Sequence, residues 1–140
     1  MTLRLLICGT RTFADYALLC RECDAIAAHY SAVEVITGAP DPRKRGPRWK
    51  PGADGLGERW ALARGHAYRR FPADWRRYGR SAGPIRNREM LAYLLQSTER
   101  RGVVAFWDGV SPGTGDMIRA AREGGVGVRV VSLPGPRSGP

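Results

Sequence analysis

LRLLICGTRTFADYALLCRECDAIAAHYSAVEVITGA, Leu3 to Ala39, is the stretch whose reading decides the architecture. Leu3 to Cys8 is apolar apart from Arg4, and it closes on Gly9. A strand exposed on one face alternates polar and apolar residues, so a nearly continuous apolar run predicts a strand covered on both faces. Asp15 is placed to cap a helix reaching to about Tyr30, because Tyr16, Leu19, Cys20, Cys23, Ile26, Ala27 and Tyr30 recur at spacings of three and four. Val33 to Thr37 is a second apolar run, and it closes on Gly38. Strand, helix and strand in that order predict two parallel strands joined by a crossover helix.

The alternation continues along the chain. Helical spacing runs from Asp54 to Arg64, with Leu56, Trp60 and Ala63 on one face and Gly65 as the stop. Ala67 to Phe71 reads as a third, more polar strand. Ile85 to Gln96 is expected to be a helix with Ile85, Met90, Leu91, Leu94 and Leu95 inward. Gly102 to Trp107 is a strongly apolar strand, Met117 to Glu123 a helix, and Val126 to Leu133 a last strand rich in Val. The expected fold is a Rossmann-like, doubly wound α/β domain over residues 1–133. It has a mainly parallel sheet of about five strands, right-handed crossovers and helices on both faces. Two segments stand outside this pattern. Residues 40–51 gather Pro40, Pro42, Pro47 and Pro51 among Arg43, Lys44, Arg45, Arg48 and Lys50, and read as a basic insertion. It is either a solvated mobile segment or a basic flap offering Trp49 for stacking. Residues 134–140 read as a disordered tail by composition.

Composition narrows the function without naming it. The chain has 140 residues, 43% hydrophobic and 26% charged, as an ordinary soluble domain does, and no apolar run approaches a membrane span. The apolar run before Gly9 is too short for a signal peptide, so the expected compartment is cytoplasmic. Cys8, Cys20 and Cys23 lack the second pair that a zinc site needs, and His29 and His66 are far apart, so neither metal nor cofactor is expected. A net charge of +10 suits polyanions or small phosphorylated molecules.

In a doubly wound sheet, ligands bind beyond the carboxyl ends of the strands, near the point where strand order reverses. Four segments are expected there. Gly9 to Phe13 offers the N–H groups of Gly9, Thr10, Arg11 and Thr12, with Arg11 suited to a bidentate grip on phosphate. The segment from Gly38 and Ala39 to Asp54 follows the second strand. Phe71 to Met90, FPADWRRYGRSAGPIRNREM, is longer than a simple connection needs. It holds Asp74, Trp75 and Tyr78, and Pro84 predicts a helix start with Arg86 and Asn87 in its first turn. It is either one wall of a phosphate site or an Arg-rich surface loop with Trp75 plugging the core. Last, Asp108 to Met117 brings Asp108, Gly109, Ser111 and the pair Gly113 and Thr114 at a helix start. The chain has no GxGxxG turn and no Walker lysine loop, which argues against dinucleotide oxidoreductases and P-loop NTPases.

GTRTF after the first strand, GADGLGERWA, PADWRRYGRSAGPIRNREM and WDGVSPGTGDMI together resemble the successive motifs of the YspA-related branch of the SLOG superfamily. That superfamily is named for the Smf/DprA proteins and the Lonely-guy phosphoribohydrolases. The resemblance covers nearly the whole chain. It implies a Rossmann-like fold whose strand ends bind nucleotides or nucleotide-derived ligands, and a homodimer. The insertion departs from the family pattern by separating Gly38 and Ala39 from Gly52, Ala53 and Asp54. Lonely-guy enzymes cleave the N-glycosidic bond with an Arg, which Arg86 matches, and a Glu following the Gly-Thr pair, where this chain has Met117. Asp116 and Glu89 are the candidate catalytic substitutes.

Three functions remain. The first is capture of a nucleotide or nucleotide-derived signal, as a sensor or as a sponge in phage–bacteria conflict, with Arg11 and Arg86 on phosphate and Trp75 or Tyr78 stacked on the base. The second is hydrolysis of a nucleotide at its glycosidic or phosphate bond, through Asp116, Glu89 or Asp108. The third is DNA binding of the Smf/DprA kind, resting on net charge and the insertion.

Overall fold

Leu5, Leu6 and Ile7 are at most 1% exposed. Consecutive strand residues point to opposite faces, so such burial requires cover on both. The computed structural model, which describes residues 1–39 and 51–134, supplies that cover. β1 (Thr2–Gly9), β2 (Ala32–Thr37), β3 (Ala67–Arg70), β4 (Arg100–Trp107) and β5 (Gly127–Ser132) form one sheet in the order β3-β2-β1-β4-β5. Every pairing is parallel. Leu3, Leu5 and Ile7 pack on α1 (Tyr16–Ala27) and α2 (Gly52–Arg64) in one core, with Trp60 at its centre. Leu6 and Cys8 pack on α4 (Ala82–Leu95) and α5 (Pro112–Glu123) in the other. The expected Rossmann-like α/β fold is the fold observed.

The chain builds β1, β2 and β3 outward in one direction, then returns to place β4 against the free side of β1. Strand order therefore reverses between β1 and β4, and their carboxyl ends flank the crevice. The outermost strands carry the polar residues: all of Ala67 to Arg70 is exposed. Arginines along an edge strand also discourage pairing with another chain.

Local differences from expectation have local causes. α2 begins at Gly52 and α5 at Pro112, both upstream of the apolar stripes that announce them. Ala63 is exposed, because α2 buries Ala53, Leu56, Gly57, Trp60 and Ala61 and Ala63 lies beyond the edge of that stripe. The run from Phe71 to Met90 is not a long loop. Trp75 to Tyr78 form the short helix α3, Gly79 to Ser81 a 3-10 turn, and α4 starts at Ala82. Pro84 is the third residue of α4, where its missing N–H still costs no helical bond, so Arg86 and Asn87 fall in the second turn rather than the first. The basic insertion lies outside the described residues apart from Pro51, as does the tail beyond Pro134.

Candidate functional site

The β1 and β4 loops are tied together by hydroxyl chemistry. The Thr10 N–H donates to the Phe106 carbonyl at 2.9 Å, and Thr10 Oγ1 accepts the Asp108 N–H at 3.2 Å. The same hydroxyl stands 3.2 Å from Ser111 Oγ. Thr10 is buried, so its side chain serves as a rivet across the reversal point. Asp108 organises its own turn: Oδ1 accepts the Val110 and Ser111 N–H groups at 2.9 and 2.8 Å, and Oδ2 the Ser111 hydroxyl at 3.0 Å. Those N–H donors hold the Asp108 carboxyl below the usual range. Gly109, at φ +85°, supplies the left-handed backbone this turn needs. Thr114 is buried, while a side chain at Gly113 would meet open space.

A second knot sits at the end of β2. The Gly38 N–H donates to Asp54 Oδ1 at 3.2 Å, and Arg86 Nη1 donates to the Gly38 carbonyl at 2.5 Å. Arg86 Nε donates to Asn87 Oδ1 at 3.1 Å, and Asn87 Nδ2 reaches the Gly113 carbonyl at 3.4 Å. This chain of bonds runs from β2 through α4 to the start of α5. Ala39 follows at φ +63°, a conformation that costs a non-glycine residue and that clusters at functional sites. Partial burial lifts the Asp54 carboxyl above its ordinary range, against the opposing pull of Arg86 and the Gly38 N–H. Beneath both, the Cys8 thiol is pushed far up by burial and by the Asp54 charge, and is inert as a nucleophile.

Arg11 is exposed and lays its guanidinium over the Trp75 ring, Cζ to centroid 5.6 Å. β1 and β3 flank β2, so this pair spans the β2 end where Gly38 lies. Trp75 is half-buried, with its ring edge 3.4 Å from where a Gly83 side chain would begin. Asp74 caps α3 by accepting the Arg77 N–H at 3.1 Å, and Tyr78 is exposed with the Arg77 guanidinium 5.1 Å from its ring. Thr12 is exposed on the β1 loop and Gly9 is packed tight, since a Cβ there would lie 2.6 Å from the Phe106 carbonyl.

The carboxylates proposed for catalysis stand elsewhere. Asp116 is exposed and pairs with Arg119 at 3.6 Å, one turn along α5. Glu89 is exposed on α4. Met117, in the position of the Lonely-guy Glu, is 2% exposed and packed in the core. Asp116 and Met117 are about 100° apart around the helix, so the residue facing the sheet is the methionine.

Sequence reasoning passed over Glu58. It lies one turn after Asp54 on α2, accepts the Thr37 hydroxyl at 3.1 Å and the Arg70 Nε at 2.7 Å, and closes the β2–β3 side of the same end. The spacing of four between Asp54 and Glu58 was the available signal.

A family model described as YspA, cpYpsA-related SLOG family matches residues 3–78. The chain belongs to the YspA and cpYpsA-related SLOG family. Comparison with curated proteins and with solved structures finds no match in either. The SLOG match spans β1 to α3, so it takes in Thr10, Arg11, Gly38, Asp54 and Trp75. Arg86, Asn87 and the β4–α5 loop lie beyond it, and what joins them to the SLOG segment is the hydrogen bonding to Gly38 and Thr10. SLOG membership suggests a nucleotide-related function. No described helix is long and apolar enough to cross a membrane.

Proposed function

We propose that this SLOG chain binds a nucleotide or nucleotide-derived molecule at the carboxyl ends of β1, β2 and β4, as a sensor or a sequestering protein. The observation that carries the proposal is the continuous bonding Asp54–Gly38–Arg86–Asn87–Gly113. With the Thr10–Ser111 rivet, it makes one preorganised surface of loops distant in sequence. Preorganised backbone lowers the ordering cost of binding. The phosphate lies against the Gly9 to Thr12 backbone and the start of α5, where N–H groups and a helix dipole favour an anion. Arg11 neutralises it, and the base stacks on Trp75 in place of the guanidinium now there.

Binding without turnover is the reading favoured over hydrolysis. The buried Met117 and the outward Asp116–Arg119 pair leave the family's hydrolytic position without a carboxylate. Titration calorimetry with nucleoside 5′-monophosphates and the parent nucleosides tests the proposal. The monophosphates are expected to bind more tightly than the nucleosides, and Arg11→Ala is expected to remove about tenfold or more of that difference. Equal affinity for nucleoside and monophosphate, unchanged in Arg11→Ala, contradicts it.

A further inference from the structure

Asp54 occupies a place that the binding proposal leaves without a task. It belongs to the first turn of α2, yet its carboxylate leaves that helix to meet the end of β2. One oxygen accepts the Gly38 N–H at 3.2 Å. The other stands 3.0 Å from the point where a Gly38 side chain would begin, and the Arg86 guanidinium closes on the same point. Gly38 thus leaves a gap over its α-carbon that a carboxylate and a guanidinium border together.

An ionised carboxylate accepts hydrogen bonds and donates none, with about four lone-pair directions over its two oxygens. Its complement in a ligand is a pair of hydroxyl donors on adjacent carbons. In doubly wound sheets that bind nucleotides beside the reversal point, the carboxyl end of the second strand is where an acidic side chain meets the ribose. Here no acidic residue stands at the end of β2 itself, which reads Thr37, Gly38 and Ala39. Asp54 is brought to that place from α2 instead, and Glu58 behind it is already occupied by Thr37 and Arg70.

We infer that Asp54 is the ribose-reading residue of the site, accepting the vicinal 2′- and 3′-hydroxyls of a ribonucleotide and so selecting ribo- over deoxyribonucleotides. The inference rests on the proposed nucleotide site. It places the sugar over Gly38, the phosphate towards Thr10 and the base towards Trp75, in the sequence of a nucleoside monophosphate laid across the strand ends. The lifted acidity constant of Asp54 adds a consequence: discrimination fades as falling pH protonates the carboxyl, which then offers a donor where the diol requires acceptors.

The test is calorimetry with the four ribonucleoside 5′-monophosphates and their 2′-deoxy counterparts, on wild type, Asp54→Asn and Asp54→Glu. Both variants retain a side-chain oxygen for the Gly38 N–H, and unchanged melting temperatures would verify that the turn survives. Wild type is expected to prefer the ribo form about tenfold or more, because a site built to bond a hydroxyl rejects the analogue without it. Both variants are expected to fall within about threefold of parity, losing affinity for the ribo form alone. Binding of both sugar forms with equal affinity in wild type overturns the inference and leaves the nucleotide site standing. A ribo preference that persists in both variants does the same. Failure of every monophosphate to bind overturns both.

Discussion

Gly38→Ala is expected to weaken nucleotide binding by roughly 10- to 100-fold while leaving the protein folded. The new methyl would overlap Arg86 Nη1 and lie 2.7 Å from its Cζ and 3.0 Å from Asp54 Oδ2. Two side chains must retreat together. Arg86 gives up the Gly38 carbonyl, and Asp54 is pushed from the gap it borders. The atoms displaced are the far ends of side chains rather than backbone, so the sheet itself has no reason to move. The expected melting temperature is therefore close to wild type, and calorimetry with the best-binding monophosphate measures the loss. An affinity within threefold of wild type would mean that the Gly38 knot does not belong to the site.

The second large effect concerns the core that holds the strand ends in place. Trp60→Ala is expected to destabilise the protein by about 3–5 kcal/mol, with a fall in melting temperature of roughly 10–20 °C. Trp60 is fully buried and the largest of the fully buried side chains, and it packs with Leu5, Ile7, Val35 and Phe106 in the same core. Its ring also meets His66 with centroids 4.8 Å apart, and its Nε1 donates to Asp24 at 2.8 Å. Asp24 is held in turn by Arg64 through two bonds of 2.9 Å, so the indole joins α1 to α2. Trp60→Phe keeps the ring packing and loses the hydrogen bond, and should cost less than half as much. Denaturant melts of the three proteins give the comparison, and a Trp60→Ala cost below about 1 kcal/mol would contradict the packing described.

The fold was legible because burial writes itself into composition. Leu3 to Cys8 and Val103 to Phe106 are apolar on both faces, and only a central parallel strand makes use of that. Helix stripes were legible for the same reason, whereas helix starts were not. Gly52, Pro112 and Ala82 begin their helices without an apolar signal, and none of the three helices has a side-chain cap bond. Of the site, the loops could be named but not their internal wiring. Arg86 reads as a phosphate ligand in the sequence, while in the structure it holds the Gly38 carbonyl across 48 residues of chain. Such a bond depends on tertiary placement that no local pattern encodes. Asp108 shows the converse: its bonds to Val110 and Ser111 are local, and a capping role was legible from the start. Glu58 was missed because its partners, Thr37 and Arg70, belong to two different strands.

The central claim is that ligand meets the protein at the carboxyl ends of the strands, on both sides of the β1–β4 reversal. Amide hydrogen exchange with and without a saturating nucleoside monophosphate tests it most directly. Exchange is expected to slow at Gly9 to Thr12, at Gly38 and Ala39, and at Gly113 to Gly115, three segments brought together only by the fold. Slowing confined to the opposite end of the sheet, around Met1 and Thr98 to Arg100, or no slowing at any of the three segments, would contradict the claim.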